Sequence, residues 1–184
     1  MSYADGCLDK LSKALKPFSE EQDATAAVAS LLRVVDQDLE VLLVKRVENP
    51  ADPWSGQMAF PGGKRDAKDQ NLRQTVIRET LEETGVNLLE GCRFLGVTDA
   101  VRSAILSEMM VLPFVILLER ETEIRLNKKE LRDFVWISLK ELARHKSTVK
   151  FSFGEFPAYT VGNNVVWGLT YSIVEKFVHA LKLN

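Results

Sequence analysis

The stretch Phe60-Pro61-Gly62-Gly63, followed after fourteen residues by Arg78-Glu79-Thr80-Leu81-Glu82-Glu83-Thr84-Gly85-Val86, decides how the rest of the chain is read. If the second segment is helical, Glu79, Glu82 and Glu83 stand at i, i+3 and i+4 and share an arc of roughly 100°. Like charges so placed cost an isolated helix about 0.2–0.5 kcal/mol per pair. Taken alone, the three acids describe a solvated face. Set behind a Gly-Gly turn and beside Arg78, they describe an all-oxygen site of the kind that Mg²⁺ or Mn²⁺ prefers.

Working outward, Asn71 is placed to cap this helix, with Gln74 three residues later, and Gly85 suits its exit. The spacing predicts a helix over residues 72–84, with Val76, Ile77 and Leu81 turned away from the acids towards a sheet. Upstream, residues 24–35 and 39–46 read as two strands joined by the polar turn Asp36-Gln37-Asp38. Residues 47–57 hold Asn49-Pro50, Asp52-Pro53 and Gly56 and read as a loop leading into the acidic segment. Residues 94–101, 111–119 and 134–137 are further strand candidates, and residues 141–145 suggest a helical turn. Leu8, Leu11 and Leu15 predict a short amphipathic N-terminal helix. Residues 165–181, with Val166, Leu169, Ile173, Val174, Phe177 and Leu181 at helical spacing, predict a long C-terminal one. Strands flanked by helices in this way give an α/β class, an α/β/α sandwich around a mixed sheet. No repeat or linker divides residues 1–184, which read as a single domain.

The composition, 46% hydrophobic and 27% charged, is that of a globular protein able to bury a core. Acidic and basic residues nearly balance at 26 to 24 without a Lys/Arg run, so no nucleic-acid backbone is expected as a partner. Cys7 and Cys92 have neither pairing nor metal spacing, which suits a reducing, cytoplasmic setting. Residues 1–16 lack the apolar core of a signal peptide, and the longest apolar run, residues 109–118, is about half a membrane span and reads as a buried strand.

The segment from Gly63 to Val86 resembles the Nudix box: Gly, five residues, Glu, seven residues, Arg-Glu, an apolar residue, any residue, Glu-Glu, any residue, Gly and an apolar residue. Three departures stand out. Fourteen residues rather than thirteen separate Gly63 from Arg78, the first Glu is replaced by Asp69 or Gln70, and Thr80 stands where an aliphatic residue is usual. The resemblance implies the sandwich fold and a reaction in which water attacks one phosphorus of a nucleoside diphosphate joined to a second group. It implies Glu79 and Glu83 as the principal ligands of Mg²⁺ or Mn²⁺, Glu82 as a further ligand or the general base, and the Gly63 carbonyl completing the shell. Arg78 would pair with Asp69 to hold the loop against the helix. Glu130 is a second candidate base from outside the box. Glu108, Glu155, His145 and His179 are weaker candidates and read better as surface or structural groups.

The similarity extends furthest to the coenzyme A diphosphatase-like branch, which shares the fourteen-residue spacing. Leu42-Leu43, Gly56 and Phe60 to Gly63 fall in register with that branch's upstream signature. Pro113-Phe114-Val115, Asn127 to Glu130, Phe156-Pro157-Ala158-Tyr159 and Trp167-Gly168-Leu169-Thr170 also look similar. The signature Arg, however, is Asp52 here, and Val44, Arg46 and Val47 occupy its Thr/Ser positions. Arg46, whose guanidinium matches phosphate oxygens, and Phe60 are the expected substrate-binding residues. Three readings follow. The first is hydrolysis of coenzyme A or acyl-coenzyme A to 3',5'-ADP and a phosphopantetheine product. The second is the same chemistry on ADP-ribose, a dinucleotide or a nucleoside triphosphate. The third is a non-catalytic nucleotide-binding protein. A small nucleotide is the expected partner, a homodimer is admitted, and no membrane is expected.

Overall fold

The computed structural model describes residues 3–19, 23–52, 54–106 and 108–183; Pro53, one of the expected turn formers, lies outside them. The elements run α1 (Tyr3–Ala14), β1 (Ala26–Val35), β2 (Asp38–Arg46), β3 (Met58–Ala59), β4 (Gly62–Lys64), α2 (Leu72–Thr84), β5 (Cys92–Val97), β6 (Val101–Arg102), β7 (Met110–Leu118), β8 (Leu131–Ser138), α3 (Leu139–Arg144), β9 (Lys146–Phe151), β10 (Gly154–Val161), β11 (Asn164–Trp167) and α4 (Gly168–Leu181).

β1 and β2 form the expected hairpin, closed by Asp36 and Gln37 at φ 47° and 65°. Two successive positive φ values are those of the turn whose twist matches a right-handed ribbon. β1 pairs in parallel with β7, and the other pairings of the main sheet are antiparallel, so the sheet is mixed. Its order is β3-β2-β1-β7-β5, with β8 on β2, β6 on β7 and β4 on β1. The alternation of β1 divides the core. Ala27, Ala29 and Leu31 turn to α2, whereas Val28 and Leu32 turn to α1, α3 and α4, which gives helices on both faces of the sheet.

Four expectations change. The strand over 94–101 ends at Val97 and resumes at Val101, with a bulge between Phe94 and Gly96. On α2 the buried positions are Leu72, Thr75, Val76, Thr80, Glu83 and Thr84; Ile77 is only half-buried and Leu81 is 46% exposed. The anchoring face is therefore rotated towards Thr80. The C-terminal helix starts at Gly168 rather than 165, because Asn164–Trp167 is a strand. That strand belongs to a separate antiparallel sheet, β11-β10-β9, which the periodicity of the chain did not suggest. Tyr159 and Val166 of this sheet are fully buried in the core shared with α4.

Candidate active site around the acidic helix

The start of α2 is built as its sequence demands. The Asn71 side chain accepts from the Gln74 N–H at 3.1 Å, while Gln74 reaches back one residue further than a capping box requires, accepting from the Gln70 N–H at 2.8 Å. Gly85 ends the helix at φ 72° and donates to Leu81 O. The loop before the helix is closed by Asp69. Its Oδ1 accepts from Arg78 Nε at 3.1 Å, and its Oδ2 accepts from Arg78 Nη2 at 2.8 Å, the Thr75 hydroxyl at 3.0 Å and the Asp66 N–H at 3.0 Å. A buried carboxylate with four donors is well satisfied. The Arg78 hydrogen bonds, helped by Asp66 and Thr75, hold the Asp69 carboxyl well below the usual carboxylate range. Between the two residues that the extra position left open, Asp69 meets Arg78, and Gln70 hydrogen-bonds Gln74 instead.

The glycine pair is fixed from two sides. A Cβ at Gly62, which has φ 144°, would lie 2.2 Å from the Ala27 carbonyl oxygen. A Cβ at Gly63 would lie 2.6 Å from the Glu79 carboxyl carbon. Only a main chain stripped of side chains lets the helix carboxylates come this close. Glu83 is 3% exposed and accepts from the Gly62 N–H at 2.8 Å. Burial, with a smaller contribution from Glu79 and Glu130, raises its pKa from 4.5 to about 7. Burial also raises that of Glu79, against the pull of Arg78, whose Nη1 donates to Glu79 Oε1 at 2.8 Å.

Glu130 is brought to the same place by main-chain bonds. Asn127 N–H donates to Glu83 O at 2.8 Å, Val47 N–H donates to Glu130 O at 2.9 Å, and the Asn127 amide holds Glu130 Oε1 at 2.8 Å. Its charge acts on both Glu79 and Glu83. Glu82 stands apart, with a side chain 57% exposed that reaches Arg78 Nη1 at 3.5 Å. Arg46, whose charge acts on Glu83, is held by Asp52: Nε and Nη2 each lie 2.8 Å from Asp52 Oδ2. Phe60 is a correction. It is 4% exposed and packs edge-on against Phe177 in the core, so it has no free face for a substrate.

Among the described residues, no three His, Cys, Asp or Glu side chains form a ready-made metal cluster. Mg²⁺ is ordinarily held by one or two carboxylates, water and substrate phosphates rather than by an all-protein cage. Glu79 and Glu83 are two sequestered carboxylates whose proton affinity is raised chiefly by burial, set against a glycine main chain. Such a donor set fits a hard divalent cation.

A mixed sheet between helices, with an acidic helix tied under a glycine turn, places the molecule among α/β sandwich domains. The chain belongs to the Nudix hydrolase family: the family model described as NUDIX domain matches residues 24–156. The family generally uses divalent metals such as Mg²⁺. A peroxisomal coenzyme A diphosphatase of Caenorhabditis elegans is 32% identical over 158 residues, 85% of this chain and 66% of that protein. An uncharacterized protein of Schizosaccharomyces pombe is 37% identical over 109 residues, 55% of this chain and 32% of its own length. The chain thus spans from about a third to just under two thirds of these relatives. Among solved structures, a MutT/nudix family protein from Enterococcus faecalis superposes with a TM-score of 0.58 at 19% identity, covering 99% of this chain and 75% of that one. This likeness shows the fold. No helix among the described residues is long and apolar enough to cross a membrane.

The reading of residues 60–86 missed two features. Asp52 looked like a misplaced acid, but it is the partner of Arg46, six residues away across the loop. The aromatic strands after residue 146 carried a faint signal in the alternation Val149, Phe151 and Val165, Trp167.

Proposed function

We propose that the protein is a Mg²⁺-dependent hydrolase of the diphosphate bond in a nucleoside diphosphate derivative, with coenzyme A or an acyl-coenzyme A as substrate and 3',5'-ADP as one product. One observation carries this reading: Glu79 and Glu83 are sequestered together against Gly62-Gly63, close enough to Glu130 for its charge to act on both. A bound cation would neutralise phosphate oxygens and acidify a water molecule. Glu79, Glu83 and the Gly63 carbonyl are the groups that would hold it. Glu130, steadied by Asn127, is better placed than the outlying Glu82 to take the proton from the attacking water. Asp69 and Arg78 position the helix and touch no reacting atom. Arg46 has five N–H donors, and Asp52 takes only part of them, so the remainder would be available to a diphosphate.

The coenzyme A reading is supported by the name of the C. elegans relative and by the spacing of the box. Asp52 favours a second reading. With Arg46 partly neutralised, the loop suits a substrate that lacks a 3'-phosphate, such as ADP-ribose. We take residues 1–184 as one domain, and the two unpaired thiols suit a reducing compartment, whether cytosol or one like the peroxisome named for the relative. The test is incubation with Mg²⁺ and a panel of coenzyme A, ADP-ribose, NADH, diadenosine polyphosphates and nucleoside triphosphates, with Glu83→Gln as control. Release of 3',5'-ADP is expected. Turnover of ADP-ribose but not coenzyme A would move the assignment to the second reading, and no turnover of any compound would leave a nucleotide-binding protein.

A further inference from the structure

An antiparallel sheet that packs one face on a core ordinarily shows water a polar face. The β9–β11 sheet does not. Its inner face buries Tyr159 and Val166, while its outer face carries Val149, Phe151, Phe156, Val165 and Trp167, all half-buried, with Phe153 in the β9–β10 turn 68% exposed. The aromatic rings are packed on one another. Phe151 lies parallel to Phe153 at 5.1 Å and tilted against Trp167 at 4.5 Å, so they form a continuous apolar floor without an open slot for a planar base.

This floor lines one side of a cavity of about 650 Å³, within the size range of small-molecule sites. Lys45, Ser55, Gly56, Gln57 and Met58 also line it, together with Ala104, Ile105 and Asn163. This lining is tied to the strand that carries Arg46: Lys45 precedes Arg46, the Arg46 N–H donates to Gln57 O at 3.0 Å, and three residues separate Met58 from Gly62, a span of at most roughly 13 Å at strand rise. Lys45, Ser55 and Gln57 are the polar groups of this lining, on the strand and loop next to Arg46. A molecule with a diphosphate at one end, a polar amide arm and an apolar tail matches these surfaces. A protein partner would have no need of the concavity or of its link to Arg46 through Gln57.

We propose that the β9–β11 face is the specificity site for the substrate's acyl chain, making the thioester, rather than free coenzyme A, the preferred substrate. The proposal rests on the coenzyme A reading above. It is tested by the ratio of kcat/KM for octanoyl-coenzyme A to that for coenzyme A, measured in the wild type, Val149→Glu and Phe153→Ala. Val149 is on an edge strand and Phe153 in an exposed turn, so both variants should melt like the wild type. The wild-type ratio should exceed about 10, and Val149→Glu should lower it at least fivefold, with a smaller fall for Phe153→Ala. A ratio near 1, or one unchanged in both variants, overturns the proposal. If no coenzyme A compound is hydrolysed, the substrate reading has failed and the pocket is judged separately by calorimetry with octanoyl-pantetheine, which carries no diphosphate. Binding that Val149→Glu weakens at least fivefold supports the apolar-tail site, and no binding overturns it. Gel filtration covers the remaining case: a wild-type dimer that Val149→Glu dissociates would make the face an interface and also overturn the proposal.

Discussion

The acidic helix α2 and the aromatic sheet β9–β11 are organised by opposite means. Around α2, charged groups are taken from water and answered individually: Asp69 by Arg78, Arg46 by Asp52, Glu83 by one main-chain N–H. On β9–β11 nothing is charged on the floor, and the rings answer only one another. The first region stores electrostatic cost that a bound cation would relieve, whereas the second leaves apolar area that a ligand could cover. Changes at α2 should therefore alter activity and stability in opposite senses at some positions. Changes on the aromatic floor should alter selectivity first.

The largest effect tests the stored cost directly. Glu83→Gln should lower kcat with Mg²⁺ by about a thousandfold, on the order of 4 kcal/mol, because a carboxylate at the cation site is lost. The same variant should be more stable than the wild type without metal at pH 8, on the order of 2 kcal/mol by urea denaturation, because an unfavourably buried charge is gone. A variant that is both inactive and less stable would show that Glu83 is a structural acid.

Asp69→Ala should act in the ordinary direction. Removing the partner of a largely buried Arg78 should cost about 2–3 kcal/mol, less than a fully buried pair because Arg78 remains 31% exposed. The pH dependence gives a second check. The folded pKa of Asp69 is depressed, so its contribution is present above the unfolded value of about 3.9 and is lost as pH falls below it. Wild-type stability should fall through this acid range more steeply than that of the variant.

Glu83 has the opposite sign. With the folded pKa raised to about 7, its burden on the metal-free fold grows as pH rises from about 4.5 to 7. Cation binding should expel a proton in that range. Mg²⁺ affinity measured by calorimetry should therefore tighten severalfold between pH 6 and 8, and a flat profile would remove Glu83 from the site.

These two regions also differ in how far the sequence discloses them. The boundaries of α2, its Asn71 cap and its Gly85 exit are decided by neighbours a few residues apart, and each was legible. The Asp69–Arg78 contact spans nine residues and could be reasoned from the box. Other features depend on distant parts of the chain. Glu130 reaches the site because Asn127 bonds the end of α2 and Val47 bonds Glu130. Residues 164–167 share helical spacing with α4, yet pairing with β10 claims them as a strand. Apolar residues on two faces of a small sheet mimic an irregular loop, since no polar alternation marks which face is out.

The smallest prediction concerns the underside of α2, where sequence and structure disagreed. Leu81, expected to anchor the helix, is exposed, and Thr80 occupies the buried position with a hydroxyl that has no hydrogen-bond partner among the described residues. The Thr80 carbonyl does accept from the Thr84 hydroxyl at 2.6 Å, so the main chain is satisfied and the defect is confined to one side-chain oxygen. Valine has the same shape without that oxygen. Thr80→Val should stabilise the fold by about 1 kcal/mol in urea denaturation and leave the slope unchanged. Because Thr80 points into the core while Glu79 and Glu83 point to the glycine turn, the gain should come without loss of kcat. A loss of activity at unchanged or higher stability would mean that the two faces of α2 are coupled, and that the Thr80 hydroxyl serves the acidic side of the helix.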